Sequence, residues 1–152
     1  MNFSEAYSAA EGRSEPVRLA RLLSIATENL DEVGLARQVT AGLPVQSLSV
    51  LCDLFGNAGV VGPVIPEATL RRFRKARKPL PREQSERLYE LSRVVDAVAR
   101  AFNGDSARVA AFMTRPHLLL DGETPFDLAR SSSAGADAVL NMLRRAEAGV
   151  AL

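Results

Sequence analysis

Leu88, Leu91, Val95, Val98 and Phe102 follow one another in alternating steps of three and four residues, a period that only a helix turns into one apolar stripe. Helical spacing returns along the chain at Leu19, Leu22, Leu23 and Ala26, at Leu48, Leu51, Cys52 and Phe55, at Val109, Phe112 and Met113, and at Val139, Met142, Leu143 and Ala146. Intrinsic propensity agrees with the pattern: alanine (23 residues) and leucine (20) dominate and aromatics are 5%, a balance that favours helix and disfavours an all-β sandwich. The chain of 152 residues is thus expected to be all-α, as one domain or two small packed ones.

Punctuation divides it. Residues 1–14 are small and polar without apolar periodicity and are expected to form a flexible arm. Pro16 suits the first turn of the next helix, Asp31–Gln38 adds a short helix ending near Gly42, and Gly56 stops the helix over Leu48–Phe55. Residues 56–66 carry Gly56, Gly59, Gly62, Pro63 and Pro66 and are expected to break regular helix. Pro66 opens a helix that ends near Pro79, and a long helix over Arg82–Phe102 closes at Asn103-Gly104. Its seam packs on another helix of this chain or on a second copy. Asp105 caps the next helix, Thr124-Pro125 starts a short one, and the last spans about Ala134–Ala148 with Gly149 as its stop. The segments are therefore 1–14, 15–80, a connecting helix 81–103, and 104–152.

Chemistry-bearing residues are sparse. One cysteine and one histidine make neither a disulfide nor a zinc set, so no metal is expected, and no nucleotide-binding or nucleophile motif calls for a cofactor. Cys52 lies on an apolar stripe and is read as packing. His117, between Pro116 and three leucines, is read as structural. An enzyme would need His117 gathered with Asp121 or Glu123 in a pocket. The N-terminus lacks the signature of a secretory leader and no stretch is long and apolar enough to span a membrane, so a cytoplasmic location is expected.

The anomaly is Arg71-Arg72-Phe73-Arg74-Lys75-Ala76-Arg77-Lys78, six cations and no anion in eight residues. Residues 71–87 carry +6, so the rest of a chain with net charge +1 carries −5. Such a run either neutralises phosphates, with arginine forks available to guanine edges, or is a solvated face.

Several short motifs occur in a telling order: Gly42-Leu43-Pro44, Thr69-Leu70-Arg71-Arg72, Leu80-Pro81-x-Glu83-Gln84-Ser85-Glu86-Arg87-Leu88, Phe112-Met113-x-x-Pro116, Gly122-x-Thr124-Pro125-Phe126-Asp127-Leu128, and a closing helix with Gly135 and Leu143. From about residue 17 onward the chain resembles the Xre/MbcA/ParS antitoxins. The resemblance implies an N-terminal Xre-like, degenerate helix-turn-helix region and a C-terminal small helical toxin-binding domain. It implies as partner a RES-domain toxin, which destroys NAD or transfers ADP-ribose from it. By likeness, Pro116, Gly122, Thr124, Pro125, Phe126 and Leu128 match the toxin-binding loop and short helix, and Arg71, Arg72 and Arg74, with Lys75, Arg77 and Lys78 beside them, fall on the DNA-facing helix. Two departures stand out: Gly59, Gly62, Pro63 and Pro66 occupy the stretch where an ordinary helix-turn-helix has a regular helix, and Phe112-Met113 replaces a Trp-Leu pair.

The expected function is a non-enzymatic antitoxin that occludes its toxin's active site, as a homodimer within a toxin–antitoxin hetero-oligomer, and acts on operator DNA. Arg144 and Arg145 of the last helix, with the tail Gly149–Leu152, are candidates to enter the toxin cleft. The alternative is a DNA-binding transcriptional regulator without a toxin.

Overall fold

The computed structural model describes residues 1–149, and among them no strand occurs. The chain divides into two compact units, Met1–Tyr89 and Glu90 onward.

The first unit begins with a helix where a flexible arm was expected. In α1 (Phe3–Ala10) the Asn2 side chain accepts the Glu5 N–H at 2.9 Å and the Glu5 carboxylate accepts the Asn2 N–H at 3.1 Å. This reciprocal cap satisfies two donors that helix ends otherwise leave open. Phe3, Ala6 and Ala10 share one face and are buried, and the Phe3 N–H donates to Asp53 Oδ2 at 2.8 Å. α1 packs on α2 (Glu15–Leu22) and α4 (Ser49–Phe55). The short α2 ends before Ala26, which is exposed, because Ser24 turns left-handed at φ 53°.

Asp31 caps α3 (Glu32–Ala41) through the Gly34 N–H at 2.7 Å. A 3-10 helix, Val45–Leu48, then leads directly into α4. Its tighter winding rotates the register of α4, so Val50, Leu51 and Leu54 face inward while Cys52 and Phe55 are only half-buried. Residues 56–66 are more ordered than their glycines suggest. They form a one-turn helix, α5 (Asn57–Val60), and a tight turn in which the Gly62 N–H meets Ile65 O at 2.7 Å. Val60, Val64 and Ile65 are fully buried, which holds this turn on the unit's core and fixes the start of α6 (Glu67–Ala76).

Two of the distant sequence motifs meet where the unit closes. The Leu80 N–H donates to Leu43 O at 2.8 Å, and the Leu43 N–H donates to the Ser85 Oγ at 2.8 Å. Leu43, Leu80 and Ser85 are all buried, so Gly42-Leu43-Pro44 and the start of α7 (Arg82–Ala101) form one clamp.

The expected seam of α7, Leu88, Leu91, Val95 and Val98, is fully buried, and so are Ser92 and Val94, with Asp96 and Ala99 nearly so. More than one face of the helix is covered within a single chain, which leaves the seam no surface for a second copy. In the second unit, Asp105 caps α8 (Ser106–Met113). Phe102 lies just beyond α7 and is half-buried, its ring 5.8 Å from Phe112 and beneath the Arg108 guanidinium at 4.6 Å. α9 (Pro125–Ser131) and α10 (Ser133–Glu147) pack closely on each other. A Cβ on Gly135 would stand 2.1 Å from Leu128 O, so only glycine lets the two helices approach this far. Arg93 joins α7 to α10 by pairing with both Glu90 (2.6 Å) and Asp137 (3.0 Å).

Candidate functional site

Among the described residues, each unit carries a feature that packing alone does not use. In the second unit it is the segment between α8 and α9. The His117 N–H donates to Glu123 O, and the Gly122 N–H returns to His117 O at 2.9 Å. Inside this ring a 3-10 turn, Leu118–Leu120, forms, and the chain reverses through Asp121 (φ 54°) and Gly122 (φ 82°). The left-handed pair suits aspartate and glycine, the residues that tolerate positive φ best.

Side chains lock the loop at its base. The His117 Nε2 lies 3.2 Å from Phe112 O, and its ring sits 4.6 Å from that of Phe112. His117 therefore supports the loop, as its sequence setting suggests, and its ring nitrogen is engaged by a carbonyl rather than by Asp121 or Glu123. Leu120 is buried and pins the turn, while Leu118 is 96% and Leu119 55% exposed. The outward placement of these two leucines is what the sequence does not announce. A run of three leucines reads as core, yet neither a helical nor a strand period can turn three consecutive side chains inward.

The expected toxin-binding residues separate into two groups. Pro116 and Gly122 are exposed on the loop. Thr124 caps α9, its Oγ1 accepting the Asp127 N–H at 3.0 Å, with Pro125 in the first turn. Pro125 is buried and Phe126 is 7% exposed. Their apolar bodies are thus packed into the unit's interior, in contrast to the exposed Pro116 and Gly122. Leu128 is half-buried, and its carbonyl is the group that Gly135 approaches. Arg144 and Arg145 are exposed near the end of α10, where cations complement the helix dipole, and Arg144 donates to Asn141 Oδ1 at 2.6 Å. Of the tail Gly149–Leu152, Val150 to Leu152 lie outside the described residues.

In the first unit the feature is α6 with its C-terminal end. Leu70 is buried on it and Thr69 and Phe73 are half-buried, while Arg71, Arg72, Arg74 and Lys75 on the helix and Arg77 and Lys78 just past it are all exposed. Arg71 pairs with Glu67 at 3.3 Å, both largely in solvent, and Arg72 lies over the Phe73 ring at 5.2 Å. An exposed pair of this kind is worth ~0.5 kcal/mol, little enough to be exchanged for a phosphate. Arg77 ends the helix in the left-handed region at φ 53°. A shallow cleft beside α6 is lined by Cys52, Asn57, Val61, Leu70, Arg71 and Arg74. Burial pushes the Cys52 thiol up, and the Arg74 charge offsets this only in part, so Cys52 is no activated nucleophile.

Among the described residues no cluster of His, Cys, Asp and Glu could hold a metal ion, and no helix is long and apolar enough to cross a membrane. Residues 90–149, the whole of the described second unit, match the family model of the antitoxin Xre/MbcA/ParS C-terminal toxin-binding domain. No curated protein matches the chain.

Proposed function

We propose that the chain, whose residues 90–149 match the C-terminal toxin-binding domain of the Xre/MbcA/ParS antitoxins, is an antitoxin that neutralises a RES-domain toxin by occluding its NAD-using active site. The observation that carries this reading is the family match over residues 90–149. Its physical counterpart is a small rigid helical unit that exposes a closed loop and a doubly basic helix end. Binding is enough for such a role, because a plug that excludes substrate needs no chemistry of its own. Arg144 and Arg145 would contribute cations suited to acidic groups or to a phosphate subsite in the cleft.

The test is a titration of the RES-type toxin encoded beside this chain with the purified full-length protein, following NAD consumption or ADP-ribosyl transfer. The expected result is stoichiometric loss of activity and a complex that persists on gel filtration. A toxin that works unhindered when saturated with this chain sinks the reading.

A second role is favoured by α6 and the two residues that follow it, whose six exposed cations share one short stretch at the surface. We propose that α6 contacts operator DNA, with the short α5 and the buried Val60, Val64 and Ile65 standing in for the regular helix that normally precedes a reader helix. A homodimer within the hetero-oligomer would present two readers to two half-sites, and light scattering of the free and toxin-bound protein measures this. Replacing Arg71, Arg72 and Arg74 together by alanine is expected to weaken operator binding by about tenfold or more at low salt and to lower the salt slope by about 3. An unchanged slope in operator titrations at several salt concentrations means that these side chains touch no phosphate.

A further inference from the structure

We propose that Leu118 and Leu119 form an apolar peg that seats in a hydrophobic socket on the toxin and supplies the main anchor of the complex, an inference that rests on the toxin-binding reading above. Among the described residues of the second unit they are the only large apolar side chains left exposed, Leu118 at 96% and Leu119 at 55%. Nearly the whole Leu118 side chain lies in water, and nothing within the unit compensates for that exposure.

The peg is built rather than frayed. Its backbone is closed by the His117 N–H to Glu123 O bond, by the Gly122 and Leu120 N–H groups on His117 O, and by the Asp121 N–H on Leu118 O. Leu120 holds it from below and the Phe112–His117 ring contact holds it from the side. A preformed turn loses little freedom when it docks, and that is the condition under which a small apolar contact becomes a strong one. Arg115, Pro116, Asp121 and Glu123 are exposed around it, giving the polar rim that surrounds the dry centre of specific interfaces.

The position of the peg identifies its occupant. It lies inside residues 90–149, the stretch that matches the family's toxin-binding domain, and is the one exposed large apolar projection among that unit's described residues, which favours the toxin as what covers it. A second copy of this chain is the competing occupant. The proposal requires the toxin to offer a concave, uncharged pocket sized for one or two leucines, with room at its edge for the loop's mixed charges.

The experiment compares full-length wild type, Leu118→Asp and the double variant Leu118→Ala/Leu119→Ala for toxin affinity by calorimetry, for helicity and melting by circular dichroism, and for oligomeric state by light scattering. Leu118→Asp is expected to raise the Kd by about 30-fold or more, and the double variant by a similar factor, with helix content and melting unchanged because neither side chain supports the fold. Wild-type affinity in both variants overturns the peg while leaving the antitoxin reading intact. A dimer that falls apart while toxin affinity holds also overturns it, assigning the leucines to self-association. Wild-type protein that fails to bind the toxin at all overturns the reading on which the peg depends.

Discussion

Gly135→Ala is expected to destabilise the second unit by about 3 kcal/mol, although helix propensity alone gives the substitution the opposite sign. Alanine is favoured over glycine by up to ~1 kcal/mol in a helix interior, and less in the first turn, where Gly135 stands. Against that gain, the new Cβ would lie 2.1 Å from the carbonyl oxygen and 2.8 Å from the carbonyl carbon of Leu128. Both are backbone atoms of α9, so no side chain can swing aside and the helices themselves must part. Separation uncovers Ala129, Ala136 and Val139, all fully buried. It also shifts Thr124 and Pro125, which set the exit of the Leu118–Leu119 loop. Urea unfolding with amide exchange over α9 and α10 measures the effect, and toxin affinity should fall with it. Ala134→Gly on the exposed side of the same helix is the control, expected to cost at most ~1 kcal/mol. A Gly135→Ala protein as stable as wild type would mean that α9 and α10 do not approach as described.

Period and punctuation are the parts of the fold that the sequence makes legible. The stripe on α7, the caps at Asp31, Asp105 and Thr124, and the stop at Gly56 all stand where their residue types imply. The buried face of α4 is different, because a 3-10 turn before it changes the angle per residue and no propensity marks that change. The basic helix is plain in the sequence as charge, yet its role depends on exposure, which only packing decides. The loop between α8 and α9 is half legible. Pro116, Gly122 and Thr124 are accounted for by turn and cap chemistry, but the sorting of Leu118 and Leu119 outward and of Pro125 and Phe126 inward depends on tertiary closure of the loop through His117 and Glu123.

Phe3→Ala is expected to cost about 3–5 kcal/mol, an effect that an N-terminal arm could not produce. Phe3, at 1% exposure, is among the largest fully buried side chains, and its ring stacks at 6.4 Å on that of Tyr7. Its spacing to Ala6 and Ala10, three residues and then four, is that of a helical face. The signal is present in the sequence but faint, since alanine weighs little as a hydrophobe and only one large apolar residue marks the face. Asn2 and Glu5 supply the rest as an N-terminal cap. Because α1 packs on both α2 and α4, and the Phe3 N–H holds Asp53 of α4 at 2.8 Å, truncating Phe3 opens a cavity where three helices of the first unit converge. Asn2→Ala, which removes only the cap, is expected to cost about 1 kcal/mol. The ordering of the two variants separates packing from capping. Urea denaturation of both against wild type is the measurement. A Phe3→Ala protein within about 0.5 kcal/mol of wild type, the range of a surface change, would return residues 1–14 to the status of a loose arm and leave α4 without its cover.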